Sequence, residues 1–315
     1  MTEIKVENLK KNFGATQALQ SVSFQFQAGQ IFGFVGPNGA GKTTCLRILA
    51  ALDEPSAGEA YINGIAVSQY PEKIHNQVGF VPDALPEHSD ISVHEYLDFF
   101  ARAHKLKGNL RKQRVQGVET FTRLNGLRDK LLKALSKGMK QRVSLARALV
   151  HDPSVLLMDE PAAGLDPRAR IELRELLKLL AAQNKAILIS SHILTELTEI
   201  CDGAIIIEQG KILRSGTINQ LIRPESESGP RPHLCLLVRA YDNPEALGKL
   251  LLEMPKVIAV RPDGRELRVE VAGDEKDGCD LLTALVQKGC RIAEFKQRKT
   301  DLEELFMNLT AGEVQ

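Results

Sequence analysis

No run of about 18 apolar residues occurs in the chain, so no segment reads as a membrane-spanning helix. Neither sign of charge is in excess. Lys plus Arg number 41 against 40 Asp plus Glu, a net charge of +1, so there is no overall basic field to suggest a nucleic-acid partner. Cysteine is scarce: five residues, an odd number with no C-x-x-C pair, which predicts reduced thiols in a cytosolic setting. The opening residues Met1-Thr2-Glu3-Ile4-Lys5 lack a signal-peptide pattern. What remains is a 315-residue chain of ordinary soluble composition, long enough for two domains with sizeable cores.

The strongest local pattern is Gly36-Pro37-Asn38-Gly39-Ala40-Gly41-Lys42-Thr43-Thr44, a full match to G-x-x-x-x-G-K-[ST]. It follows the apolar run Ile31-Phe32-Gly33-Phe34-Val35, a predicted buried strand, and precedes Cys45-Leu46-Arg47-Ile48-Leu49, a predicted helix. That context suits a phosphate-binding loop. Converging backbone N–H groups bind a dense anion if the loop curls, and glycine permits both the curl and the close approach. The helix N-terminus adds its positive end. Lys42 supplies a cation for the outer phosphates, Thr43 a hydroxyl for magnesium, and Thr44 a contact to an inner phosphate. The implied ligand is a nucleoside triphosphate with magnesium. Cys45, just beyond the loop, reads as a small buried apolar residue rather than a redox group.

Val22, Phe24 and Phe26 alternate with polar residues as one face of a strand, and Asn63-Gly64 signals a hairpin. From about Val93 to Leu149 the periodicity is helical. Val155–Met158 and Ala186–Ser190 then read as strands around a helix at about Arg168–Ala182, and Gln209-Gly210 as the turn of a last hairpin. Strands separated by helices predict a mostly parallel α/β core with an added antiparallel piece. Arg223–Pro232, with three prolines, reads as a linker. Three parts are therefore expected: residues 1–222, a linker at 223–232, and a small α+β domain at 233–315. In the last, strand (234–238), helix (244–252), strand (257–260), strand (267–271), helix (280–288) and strand (292–295) suit a ferredoxin-like βαββαβ unit. A terminal helix is expected from Thr300, with Leu302, Leu305, Phe306 and Leu309 on one face, docking against its own domain. Lys105, Lys107, Arg111, Lys112 and Arg114 form a basic cluster without a nearby acid in sequence. It reads as a solvated helical face, with anionic lipid headgroups as the sharper alternative.

The phosphate loop alone fits a kinase, a GTPase or a motor. Val155-Leu156-Leu157-Met158-Asp159-Glu160 narrows the choice: an apolar strand delivers two acids to the edge of the sheet beside the loop. Asp159 is placed to hold magnesium or its water shell, and Glu160 to orient or deprotonate an attacking water.

With further segments in order, residues 2–222 resemble the ATP-binding subunit of ABC transporters. Leu135-Ser136-Lys137-Gly138-Met139-Lys140-Gln141-Arg142 is similar to that family's signature, Ala162-Ala163-Gly164-Leu165-Asp166-Pro167 to its D-loop, and Ser190-Ser191-His192 to its switch histidine. Phe13 matches the aromatic that stacks on adenine, and Asp83 stands where the family usually has glutamine. The resemblance implies a P-loop NTPase core with antiparallel and helical subdomains, and ATP hydrolysis with Mg2+. It implies Glu160, His192 and Lys42 as catalytic groups, and Thr43, Asp159 and Asp83 as metal ligands. Ser136 and Gly138 would grip the γ-phosphate of a second subunit paired head to tail, for which a homodimer suffices, and Asp166 would link the two sites. Lys137 and Met139 depart from the commonest signature, and Ala162-Ala163 lacks the frequent D-loop hydroxyl. The small last domain, Asp83 and the Leu-Ser-Lys-Gly signature resemble the ABC-2-type exporter branch. That branch implies separate integral membrane permeases, contacted through about Leu85–Tyr96, a place on the cytoplasmic face of the membrane, and no nucleic acid. The alternative is a soluble ABC ATPase that remodels a non-membrane complex.

Overall fold

A computed structural model describes residues 2–85, 90–193, 200–222 and 233–297. They form two compact units, one within residues 1–221 and the other within 222–305. The segment expected as a linker, 223–232, and the helix expected from Thr300 lie outside the described residues.

The first unit holds two sheets. The smaller is antiparallel, with strand order β2-β1-β4-β5, formed by β1 (Glu3–Phe13), β2 (Thr16–Gln27), β4 (Ala57–Ile62) and β5 (Ile65–Ala66). Asn63 and Gly64, at φ 54° and 73°, make the two-residue turn between β4 and β5, where both central residues need positive φ. The larger sheet has order β10-β9-β3-β8-β7-β6. Its strands β3 (Ile31–Val35), β6 (Val78–Val81), β7 (Val155–Met158), β8 (Ala186–Ser191) and β9 (Gly203–Glu208) run parallel, and β10 (Lys211–Thr217) closes one edge antiparallel. Every residue of β3, β7 and β8 is buried, which explains the apolar runs of β3, of β7 and of 186–189 in β8: a parallel sheet is covered on both faces.

One core joins the sheets. Phe24 and Phe26 of β2 meet Phe34 and Phe32 of β3, with ring centroids 5.8 and 5.2 Å apart. Leu46, Ile48 and Leu49 of α1 (Lys42–Leu49) lie in the same cluster. Each such side chain contributes roughly 1.5–3 kcal/mol by leaving water. After the short α2 (Pro71–His75), helices α3 (Val93–Ala103), α4 (Gly108–Phe121) and α5 (Lys137–Leu149) pack on one another through Tyr96, Leu97, Val115, Val118 and Val143. Ser92 and Glu95 cap α3 reciprocally. Helix α6 (Pro167–Ala182) crosses from β7 to β8, and α7 (Ile218–Ile222) ends the unit.

The basic cluster needs a correction: acids do face it, from elsewhere in the chain. Arg111 Nε lies 2.8 Å from Asp98 Oδ1 on α3, and Arg114 Nη1 is 3.0 Å from Asp152 Oδ2 in the turn before β7. Beside that turn the rings of His104 and His151 stack, with centroids 3.8 Å apart and planes within 5°. Burial, then the neighbouring His104, pushes the His151 imidazole down to about 4. The fold therefore favours neutral His151. Its contribution is complete above the ordinary histidine value of about 6.5 and is lost as pH falls towards about 4. The melting temperature should drop across that window, and His151→Gln should flatten part of the slope. Equal slopes in wild type and variant would refute this.

The second unit is a four-stranded antiparallel sheet of order β12-β13-β11-β14. It is built from β11 (His233–Ala240), β12 (Val257–Asp263), β13 (Glu266–Ala272) and β14 (Ile292–Gln297), with α8 (Pro244–Leu252) and α9 (Glu275–Gln287). This is the ferredoxin-like arrangement. Leu234, Leu236 and Val238 of β11 and Val269 and Val271 of β13 share a core with Leu247 and Leu251 of α8 and Leu281 and Leu285 of α9. Pro262 sits on the edge strand β12, where a missing N–H is tolerated. Helix α9 begins earlier than the expected Asp280, because Asp274 and Asp277 form a capping box whose strength outweighs Gly278 in the first turn.

Candidate active site

The loop 36–41 leaves the centre of the parallel sheet at β3 and runs into α1. Two glycines are required there by space. A Cβ on Gly36 would stand 2.2 Å from the Ile207 carbonyl oxygen. Gly41, the N-cap of α1, has φ 106°, and a Cβ there would stand 2.5 Å from the Ala18 carbonyl oxygen. The loop is tied on both sides. Gly210 N, in the β9–β10 turn, donates to the Ala40 carbonyl (3.0 Å), and Gln20 N of β2 donates to the Gly210 carbonyl (2.7 Å). Pro37, Asn38 and Gly39 form the exposed crest.

Lys42, only 6 % exposed, curls back so that Nζ donates to the carbonyls of Gly36 (2.7 Å) and Pro37 (3.1 Å). The same Nζ lies 3.5 Å from Glu160 Oε1. Thr43 Oγ1 donates to Asp159 Oδ2 at 2.7 Å, and Thr44 follows, half-buried, in the first turn. Cys45 is fully buried, and burial pushes its thiol up to about 12, which agrees with the small apolar reading.

Strand β7 delivers the two acids at its C-terminal end, where the Asp159 N–H donates to the Val81 carbonyl (2.8 Å). Asp159 is 5 % exposed. Glu160 takes a left-handed backbone, φ 47°, costly for a non-glycine residue and therefore held by its surroundings. Its N–H donates to Ser190 Oγ (2.9 Å), and Ser190 Oγ donates to Asp159 Oδ1 (2.6 Å). His192, exposed just past β8, brings Nδ1 within 2.8 Å of Glu160 Oε2. Glu160 Oε1 is buried and accepts no hydrogen bond among the described residues. Lys42, Thr43, Asp159, Glu160 and His192 are thus one connected cluster. The Thr43 and Asp159 oxygens are hard donors facing each other, which fits Mg2+, an ion that takes one or two protein oxygens and completes its shell from phosphate and water. Among the described residues no three His, Cys, Asp or Glu side chains gather into a self-sufficient metal cage.

Other expected site residues stand apart. Phe13, 52 % exposed, ends β1 with Lys11 Nζ 4.9 Å from its ring centroid. Asp83 is exposed just beyond β6. Ser136 is the N-cap of α5, its Oγ accepting from Met139 N (3.4 Å), and Gly138 lies in the first turn of that helix. Among the described residues no hydrogen bond or ion pair joins Phe13, Asp83, Ser136 or Gly138 to the Lys42–Glu160 cluster. Asp166 caps α6, accepting from Ala169 N at 2.7 Å. Of the expected contact segment Leu85–Tyr96, residues 86–89 lie outside the described residues. Two supports were absent from the sequence reading: the bridging hydroxyl of Ser190 and the tie from Gly210 to the loop. The register Met158↔Ile189, which sets Asp159 beside Ser190, is the signal for the first. It is legible only once β7 and β8 are known to be neighbours.

Residues 19–163 match the ABC transporter family. Over 99 % of its length the chain is 35 % identical to Nod factor export ATP-binding protein I of Burkholderia lata, covering 98 % of that protein. It is 33 % identical to the protein of the same name from Ralstonia nicotianae, over 99 % of this chain and 95 % of that one. Among solved structures, an ATP-binding subunit of an ABC transporter superposes with TM-score 0.64 at 30 % identity, over 69 % of this chain and 91 % of that one. A dimeric ATP-binding cassette in a post-hydrolysis state, bound to ADP and Pi, does so with TM-score 0.62 at 25 % identity, over 68 % and 98 %. The chain belongs to the ABC transporter family, as one of its ATP-binding subunits. Its enzymatic activity is that family's ATP hydrolysis.

Proposed function

We propose that the chain binds MgATP at the 36–44 loop and energises export through separate integral membrane subunits, on whose cytoplasmic face it sits. Glu160 carries the reading: a carboxylate oxygen free of hydrogen bonds among the described residues, 3.5 Å from the phosphate-loop lysine, on a backbone held in a left-handed turn. Lys42 leaves its carbonyl partners for the outer phosphates. Thr43 and Asp159, with Asp83 at the rim, would hold the magnesium ion, which would neutralise phosphate charge. Glu160 Oε1 takes a proton from water as that water's oxygen attacks the γ-phosphorus; the bond to the β–γ bridging oxygen breaks and ADP is released. His192, hydrogen-bonded to the other Glu160 oxygen, steadies the carboxylate and meets the γ-phosphate. Beyond that proton transfer the catalysis is mostly positioning and electrostatics. Phe13 stacks on the adenine, its exposure leaving one ring face available.

Ser136 and Gly138 act in the same proposal on a second copy. They stand at the N-terminus of α5, outside their own subunit's cluster, where a helix end favours an anion. A head-to-tail homodimer supplies that anion as the partner's γ-phosphate. The named relatives are export ATP-binding proteins, and this chain shares nearly their whole length, its second unit included. No helix among the described residues is long and apolar enough to cross a membrane; in this proposal the path for cargo belongs to other subunits.

The test is affinity capture of the Glu160→Gln protein with ATP from detergent-solubilised host membranes, followed by reconstitution of what is captured. A stoichiometric multi-span membrane protein that raises the wild-type ATPase rate in liposomes is expected. Ribosomes or soluble complexes alone would move the chain to the remodelling class.

A further inference from the structure

We propose that Ser190 is a positioning residue for hydrolysis, its single hydroxyl coupling the magnesium-side acid to the water-side acid. The inference rests on the roles proposed above for Asp159 and Glu160. Ser190 is fully buried on β8, and a buried hydroxyl in a strand usually satisfies a nearby carbonyl. This one is committed elsewhere. It donates to Asp159 Oδ1 at 2.6 Å and accepts from the Glu160 N–H at 2.9 Å.

Each bond has a consequence. Asp159 Oδ2 faces Thr43, so fixing Oδ1 fixes the plane of the carboxylate and the direction in which Oδ2 points. The Glu160 N–H belongs to a residue at φ 47°, and a partner for that N–H helps hold the unfavourable backbone that aims the side chain at Lys42 and His192. Removing the hydroxyl leaves a buried charged acceptor and a buried donor unpaired together, and the two acids then settle independently.

Four proteins test this: wild type, Ser190→Ala, Ser190→Thr, which keeps the hydroxyl on a strand-favouring residue, and Glu160→Gln. For each, kcat and KM for ATP are measured, along with binding of a fluorescent ATP analogue with and without magnesium. Ser190→Ala should lower kcat about tenfold or more, as expected for hydrogen bonds to charged groups, with KM within about threefold. Magnesium-free nucleotide binding should be unchanged, and the magnesium concentration giving half-maximal binding should rise several-fold. Ser190→Thr should restore kcat to within about threefold of wild type. If Ser190→Ala does not fold, Ser190→Cys, of similar size but a weak donor, should show the same loss. A Ser190→Ala rate within about twofold of wild type would overturn the proposal, as would Thr as defective as Ala, or equal loss of nucleotide binding with and without magnesium. Glu160→Gln separates the two levels. If it hydrolyses normally, the site reading itself fails; if it is dead while Ser190→Ala is normal, only the positioning role fails.

Discussion

Replacing Glu160 by glutamine should lower ATP turnover by roughly two to four orders of magnitude, the range expected when a general base is removed. ATP binding should survive. The amide has the shape of the carboxylate and can still meet His192 at 2.8 Å, and the binding groups Lys42, Thr43 and the loop amides are untouched. Removing the negative charge 3.5 Å from Lys42 Nζ should also leave that lysine more available to phosphate, so affinity should hold or rise. Phosphate release under saturating ATP measures the first effect, and fluorescent-nucleotide titration the second. Sedimentation with ATP measures a third: a dimer that accumulates because it cannot hydrolyse its way apart. Near wild-type phosphate release would remove Glu160 from the role of base. Loss of binding along with turnover would instead make it part of the binding site.

The phosphate loop should fail just as severely from changes of a single methyl group. At Gly41 an alanine meets two penalties: φ 106° is rarely adopted by L residues and strains them, and the new Cβ stands 2.5 Å from the Ala18 carbonyl oxygen and 2.8 Å from Leu19 Cδ2. Left-handed strain costs about 1–2 kcal/mol and overpacking about 1–3 kcal/mol more. Relief must come from moving the loop, which is the part that matches the phosphates. ATP affinity should fall on the order of a hundredfold, with a lowered melting temperature. Gly36→Ala should behave alike, since the Ile207 carbonyl oxygen 2.2 Å away is backbone and cannot rotate aside. Gly39→Ala is the control. Its φ of 82° strains an alanine, but nothing lies within 4 Å of the new Cβ, so affinity should fall no more than about thirtyfold. Equal effects at Gly39 and Gly41 would mean that backbone strain alone, and not the packing against β2, governs the site.

The sequence announced the strand–loop–helix around Gly36–Thr44 because its signals are local. A glycine pattern, an apolar run and a helix start all fall within twenty residues. The acid pair at the end of β7 was legible for the same reason, as were the turns at Asn63-Gly64 and Gln209-Gly210, where backbone chemistry demands particular residues. The strand and helix order of the second unit was legible too, because alternation in β11 and β13 and the spacing of α8 are written residue by residue. What escaped depends on chain segments far apart. Arg111 and Arg114 looked unopposed until α3 and the turn before β7 brought Asp98 and Asp152 to them. Ser190 looked like part of a motif leading to His192. Its bonds to Asp159 and Glu160 exist only because β8 lies next to β7 in one register.

The ties on the phosphate loop bear on how the protein opens. Ala40 is bonded to the β9–β10 turn, and that turn to β2, so the loop is held between hairpins of two different sheets over a shared core. Such ties have no local route to fraying: the Gly210 and Gln20 amides that make them can meet solvent only when the sheets part. Hydrogen exchange at Gly210 and Gln20 should therefore report the free energy of unfolding the whole first unit rather than a private fluctuation. Denaturant should abolish ATP affinity only over the range in which the unit itself unfolds.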